Sequence, residues 1–114
     1  MVSAMAMIEL ITVRAHCRID EDDTSEDSLL SIYIGAAKRY VETWTRRKLY
    51  ETNADPGFDT DEDRLLLDDD VRTAMLLLIG HWFANREAVN VGVNASEVPL
   101  AVEALLQPHR IYGL

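Results

Sequence analysis

The stretch that most constrains this chain runs from Val71 to Gly92, VRTAMLLLIGHWFANREAVNVG. Between Ala74 and Ala84 only Gly80 and His81 interrupt an apolar run. A helix that is apolar nearly all round must be covered on most sides. The run is too short, and too closely flanked by charge, to cross a bilayer, which takes about 20 apolar residues. It is therefore the central helix of a small helical core, or a helix covered in part by other copies of the chain. Asp68, Asp69 and Asp70 precede it, where carboxylates cap a first turn and oppose the positive end of the dipole. Arg86 stands at the far end, where a cation is favoured. These signals place a helix over about 69–87.

A chain of 114 residues supports one domain with a modest core. Apolar residues make up 48%, which excludes wholesale disorder. The net charge of −9 argues against nucleic acid as a tightly held ligand, because binders of this size are normally basic. It does not argue against a surface that DNA slides past. One cysteine, Cys17, allows no intrachain disulfide. The opening MVSAMAMIELITV has no basic segment and is broken by Glu9, so no signal peptide or membrane span is expected. Residues 1–7 read as a flexible leader and 8–114 as a single domain. Charge is unevenly spread: 15 of the 20 acids lie in Asp20–Asp27 and Glu51–Asp70, and five of the 11 bases between Lys38 and Lys48. Two faces with different neighbours are implied.

The elements expected are four helices, over about 9–18, 25–47, 69–87 and 98–107, in an all-α fold with a long acidic loop at 50–67. In the first, Glu9, Arg14, His16 and Arg18 share an outer side. The second opens on Thr24 or Ser25 as N-cap, with Thr24-Ser25-Glu26-Asp27 approximating a capping box. Its stripe is Leu30, Ile34, Ala37, Val41 and Trp44, widened by Leu29, Tyr33, Ala36 and Tyr40. In the loop, Pro56-Gly57 suits a type II turn. Arg64–Leu67 is a candidate extended piece, pairing with Val89–Val93. Pro108 ends the last helix. The expected core comprises Leu30, Tyr33, Ile34, Ala37, Val41, Trp44, Met75, Leu78, Trp82 and Leu105.

No catalytic or metal-binding constellation emerges. His16 and Cys17 are adjacent and point in different directions, so they are not a nucleophile–base pair. Cys17 reads as a small core residue and His81 as a core or interface histidine. Asp59–Asp70 has the length of a calcium loop, but Arg64 stands where the sharp turn needs Gly, and Asp70 replaces the bidentate Glu. There is no Gly-rich phosphate loop. Neither an enzyme nor a cofactor is expected. Arg46, Arg47 and Lys48 form the one basic group able to meet phosphate, or an acidic window of another copy.

Several stretches in order resemble the head–tail connector proteins of long-tailed bacteriophages, also called adaptor or head-completion proteins. They are Arg18-Ile19-Asp20 with the acidic run; Leu29-Leu30, Tyr33–Ala37 and Tyr40-Val41-Glu42; Leu76–Phe83 with Asn85–Val89; and Val98-Pro99, Leu105-Leu106, Pro108 and Arg110. The resemblance implies a helical, non-enzymatic subunit that assembles with itself into a ring of about a dozen copies by a repeated head-to-tail contact. Such a ring docks beneath the portal protein of a DNA-filled head, meets a tail-proximal protein, and lets double-stranded DNA pass without specific binding. It implies a virion location after assembly, the host bacterial cytoplasm before it, and no membrane. Interface candidates are Arg46, Arg47, Lys48, Asp61, Asp63, Arg86, Glu87 and Arg110. Two other readings compete: a small helical DNA-packaging or DNA-binding subunit using Arg46–Lys48, and a calcium-dependent interaction module.

Overall fold

The computed structural model describes residues 8–86 and 100–111. Its elements are α1 (Leu10–His16), α2 (Asp27–Thr45), β1 (Leu49–Tyr50), β2 (Leu65–Leu66), α3 (Asp69–Ala84), α4 (Leu100–Leu106) and a 3-10 turn, Gln107–His109. The fold is a small all-α domain in which α3 is central, packed on α1, α2 and α4. Glu87, Val89–Val93 and residues 1–7 lie outside the described residues.

The apolar run of α3 finds most of its cover within the chain. Val71, Ala74, Met75, Leu78 and Ile79 are buried, and Leu76, Leu77, Trp82 and Phe83 are half-buried against the core. Gly80, which interrupts the run, lies against the His16 side chain of α1. A Cβ there would meet the His16 imidazole Nε2 at 2.8 Å. Among the described residues, the large apolar side chains left exposed lie elsewhere: Ile11, Ile32 and Leu100.

The stripe of α2 packs as its spacing requires. Leu30, Tyr33, Ile34, Ala37 and Val41 are buried, while Trp44 is half-buried against the core. The helix start is a correction. Glu26, not Thr24 or Ser25, is the N-cap, and no side chain caps the helix. The nearby polar groups close a turn instead: Ser25 donates both its N–H and its hydroxyl to Asp23 Oδ1. Arg14, expected on the outer side of α1, is turned inward. It donates from Nη1 to both carboxylate oxygens of Asp27, at 2.7 and 2.8 Å, pinning α1 to the first turn of α2.

The extended piece after the acidic loop forms, and its partner among the described residues is β1. The pair is parallel, with Leu49 opposite Leu65 and Tyr50 opposite Leu66. A parallel pair needs a crossover of roughly a dozen residues or more, and the acidic loop supplies it. Burial of Leu49, Leu65 and Leu67 holds a ladder too short to stand alone. In α4 the buried positions are Val102 and Leu106, with Leu105 half-buried, one residue round from expectation.

Candidate interaction surface

Three constructions determine which charged groups face outward. The first is the end of α2. Arg46 closes the helix with φ of 64°, the left-handed conformation normally left to Gly, and donates its N–H to Glu42 O. Glu42 Oε2 accepts the Leu49 N–H at 2.8 Å, joining the helix end to β1. The buried Thr45 hydroxyl donates to Val41 O at 2.6 Å.

The second is the C-terminal clamp. Ile111 N–H donates to Thr45 O at 3.0 Å, Arg47 Nε donates to His109 O, and the Arg110 guanidinium lies 4.5 Å from the centre of the Trp44 ring. His109 Nε2 meets Asp70 Oδ2 at 2.6 Å. The 3-10 turn thus ties the C-terminus of α2 to the N-terminus of α3. Asp68 is an exposed residue, yet its carboxyl is pushed above the usual range by lost hydration, then by the hydrogen bond to Asp70 and its charge. Burial also acts upward on Asp70, but the hydrogen bonds from His109 and Asp68 outweigh it and hold that carboxyl below the usual range.

The third is the acidic loop, residues 51–64, which is built around Tyr50. The Tyr50 hydroxyl donates to Asp61 Oδ2 at 2.8 Å, and Phe58 meets the ring edge-on at 5.6 Å. Arg64 stacks on Phe58 at 4.7 Å. Asp55 accepts the backbone N–H groups of Glu51 and Thr52, and Asp61 Oδ1 accepts that of Asp63. Gly57 has φ of 91° and the Phe58 N–H donates to Asp55 O, as a type II turn at Pro56-Gly57 requires.

These constructions separate the expected interface residues into two groups. Arg47 and Arg110 work within the clamp. Asp61 orders the loop. Arg86 donates to Phe83 O at 2.7 Å and lies over the Phe83 ring, closing the end of α3. Arg46, Lys48 and Asp63 remain exposed. Arg47 gives its Nε to His109, while its neighbours Arg46 and Lys48 are open to solvent. Tyr50 and Phe58 as loop anchors, and Arg14–Asp27 as an ion pair, are missing from the sequence reading. Tyr50 and Phe58 were visible as the only aromatics in an acidic stretch, whereas nothing local marked Arg14 as inward-facing.

Burial pushes the Cys17 thiol up, away from the reactive thiolate, with Arg86 acting weakly against it. Among the described residues no three His, Cys, Asp or Glu side chains converge as metal ligands. A groove of about 360 Å³ beside α1 is lined by Ile8, Glu9, Thr12, Glu51 and Arg72. No helix among the described residues is long and apolar enough to cross a membrane.

The described residues thus present organised charge around a helical core. The model of the phage gp6-like head-tail connector proteins matches residues 7–110. The chain belongs to that family. Its role is structural, as a connector component of the virion that associates with head and tail components. The match includes α1 to α4, the acidic loop and the clamp up to Arg110. Comparisons with curated proteins and with solved structures find no match.

Proposed function

We propose that this connector chain is the repeating subunit of a ring of about a dozen copies, formed by a head-to-tail contact between neighbours. The ring sits between the portal protein of a DNA-filled head and the next tail-proximal protein. Until assembly the subunit resides in the host bacterial cytoplasm. The observation that carries the reading is the family match over residues 7–110. The charge distribution supports it: acids gathered in Asp20–Asp27 and Glu51–Asp70, and bases gathered between Lys38 and Lys48, suit complementary faces on one subunit.

The acidic loop is proposed to face the channel. An acidic wall repels phosphate, so double-stranded DNA passes without adhering. Asp59, Glu62 and Asp63 are exposed for this role, while Asp55 and Asp61 maintain the loop's shape. Arg46, Lys48, Arg86 and Glu87 are proposed to contribute to contacts with neighbours, and Arg47 and Arg110 to support them from within the clamp. The experiment is electron microscopy of the concentrated protein, alone and with its portal protein. Rings with a central opening are expected. Single subunits under both conditions would sink the proposal.

A further inference from the structure

The outer face of α2 departs from what a solvated helix presents. At 3.6 residues per turn, Ser28, Ile32, Gly35, Arg39, Thr43 and Arg46 fall within a strip about 80° wide. All six are exposed, and the strip lies opposite the buried stripe of Leu30, Ala37 and Val41. No charged residue occurs between Asp27 and Lys38. Ile32 is 66% exposed, and a Cβ on Gly35 would meet nothing within 4 Å. A helix exposed only to water does better with a charged residue at the first position and Ala at the second. Arg46 holds a left-handed backbone at the end of the strip, where Gly would be unstrained. The face is flat and apolar at one end and basic at the other.

A complementary face occurs on α4. Leu100, 80% exposed, shares the outside of that short helix with Ala101, Ala104 and Glu103. It is apolar with an acid, where the α2 strip is apolar with bases. Within the subunit, α4 approaches α2 from the side of Tyr40, where Glu103 acts on the phenol. Tyr40 lies about 100° round α2 from the middle of the strip. The two faces therefore do not overlap, and each is available to a different neighbour.

We propose that the outer strip of α2 docks against the outer face of α4 of a second copy. Ile32 and Gly35 receive Leu100 and Ala104, and Arg39 faces Glu103. The contact is heterologous: each subunit gives one face and receives the other. This inference rests on the ring reading and names the surfaces that would build it.

The test uses Ile32→Asp and Leu100→Asp in the full chain, under the condition in which the wild type assembles. Both positions are exposed, so circular dichroism should show an unchanged fold. Ile32→Ser and Leu100→Ser repeat the test without added charge. Analytical ultracentrifugation should show each variant self-associating more than about tenfold more weakly than wild type. Mixing the two Asp variants should give a one-to-one dimer and nothing larger, because one intact face remains on each. Rings that persist in both variants would overturn this inference and leave the ring reading standing. So would variants that fail alone and form no dimer when mixed. A wild type that never assembles, alone or with portal protein, would remove the ring reading and this inference with it.

Discussion

Single side chains in this protein show where folding and contact demand different things. Gly35 stands inside α2 with open space around it. Gly35→Ala should raise the stability of the isolated subunit by about 1 kcal/mol, the helix-propensity difference, in urea unfolding; no gain would mean the open space is filled. Gly80→Ala gains the same propensity but drives a Cβ into the His16 ring, so it should fall short of Gly35→Ala. Asp68 offers a sign that pH can check. Its folded carboxyl is raised, first by lost hydration and then by Asp70. The ionised form is therefore penalised in the folded chain, fully above the raised folded value and not at all below the unfolded one. Asp68→Asn keeps a good N-cap residue and removes the penalty. It should raise the melting temperature at pH 7, and the gain should shrink as pH falls towards 4. Asp70 has the opposite sign: its lowered carboxyl stabilises the fold above the unfolded value, and that stabilisation is lost as pH falls through the folded one. Equal melting of wild type and Asp68→Asn at pH 7 would contradict the account of this cluster.

At the scale of elements, packing ranks the core. Leu78 is fully buried and Trp82 only half-buried beside Tyr33, with ring centres 5.8 Å apart. Leu78→Ala should cost about 3 kcal/mol, and Trp82→Ala less than the 3–5 kcal/mol typical of a fully buried aromatic. Chemical denaturation of both would expose a reversed order. Tyr50→Phe keeps the ring against Phe58 and removes the hydroxyl that holds Asp61. Proteolysis within residues 51–64 should accelerate while α2 and α3 stay protected; unchanged cleavage would show that the hydroxyl does not order the loop. The four helices were legible because three- and four-residue spacing of apolar groups is local information. The alternation of exposed and buried residues on α2 follows it from Leu30 to Val41. What escaped depends on distant partners. Arg14 looked like any outer basic residue until Asp27 was brought to it. Arg46 carried no sign of a left-handed backbone, since Gly is the usual marker. Leu65–Leu66 read as extended, but its partner was set by which strand the core could cover, and Leu49–Tyr50 was that strand. The acidic loop looked structureless because its order runs through Tyr50, which stands just outside it. Of the candidate surface, the basic group was visible as a cluster of letters, but its division into an internal Arg47 and exposed neighbours was not.

The whole molecule carries its charge in a way that connects fold to assembly. The net charge is −9, yet Arg14, Arg47, Arg86 and Arg110 are engaged with Asp27, His109, Phe83 and Trp44. The outward field is therefore dominated by carboxylates, with an exception towards the end of α2, where Arg39, Arg46 and Lys48 are exposed. Such a particle should not retard duplex DNA at about 150 mM salt, where screening confines attraction to short range. Neutralising the three exposed loop acids, as Asp59→Asn, Glu62→Gln and Asp63→Asn, should leave the melting temperature nearly unchanged, because Asp55 and Asp61 carry the loop's internal hydrogen bonds. The substitutions alter only the field the loop projects. If these carboxylates line a DNA passage, assembled rings of the triple variant should retain DNA under conditions where wild-type rings release it, and retention should fall as salt rises. If they face outward, neutralisation should leave DNA release unchanged and alter only contacts with other proteins. Filter binding of assembled rings at two salt concentrations separates these outcomes, because a passage wall acts on DNA within a Debye length, about 8 Å at physiological salt, and an outer rim does not.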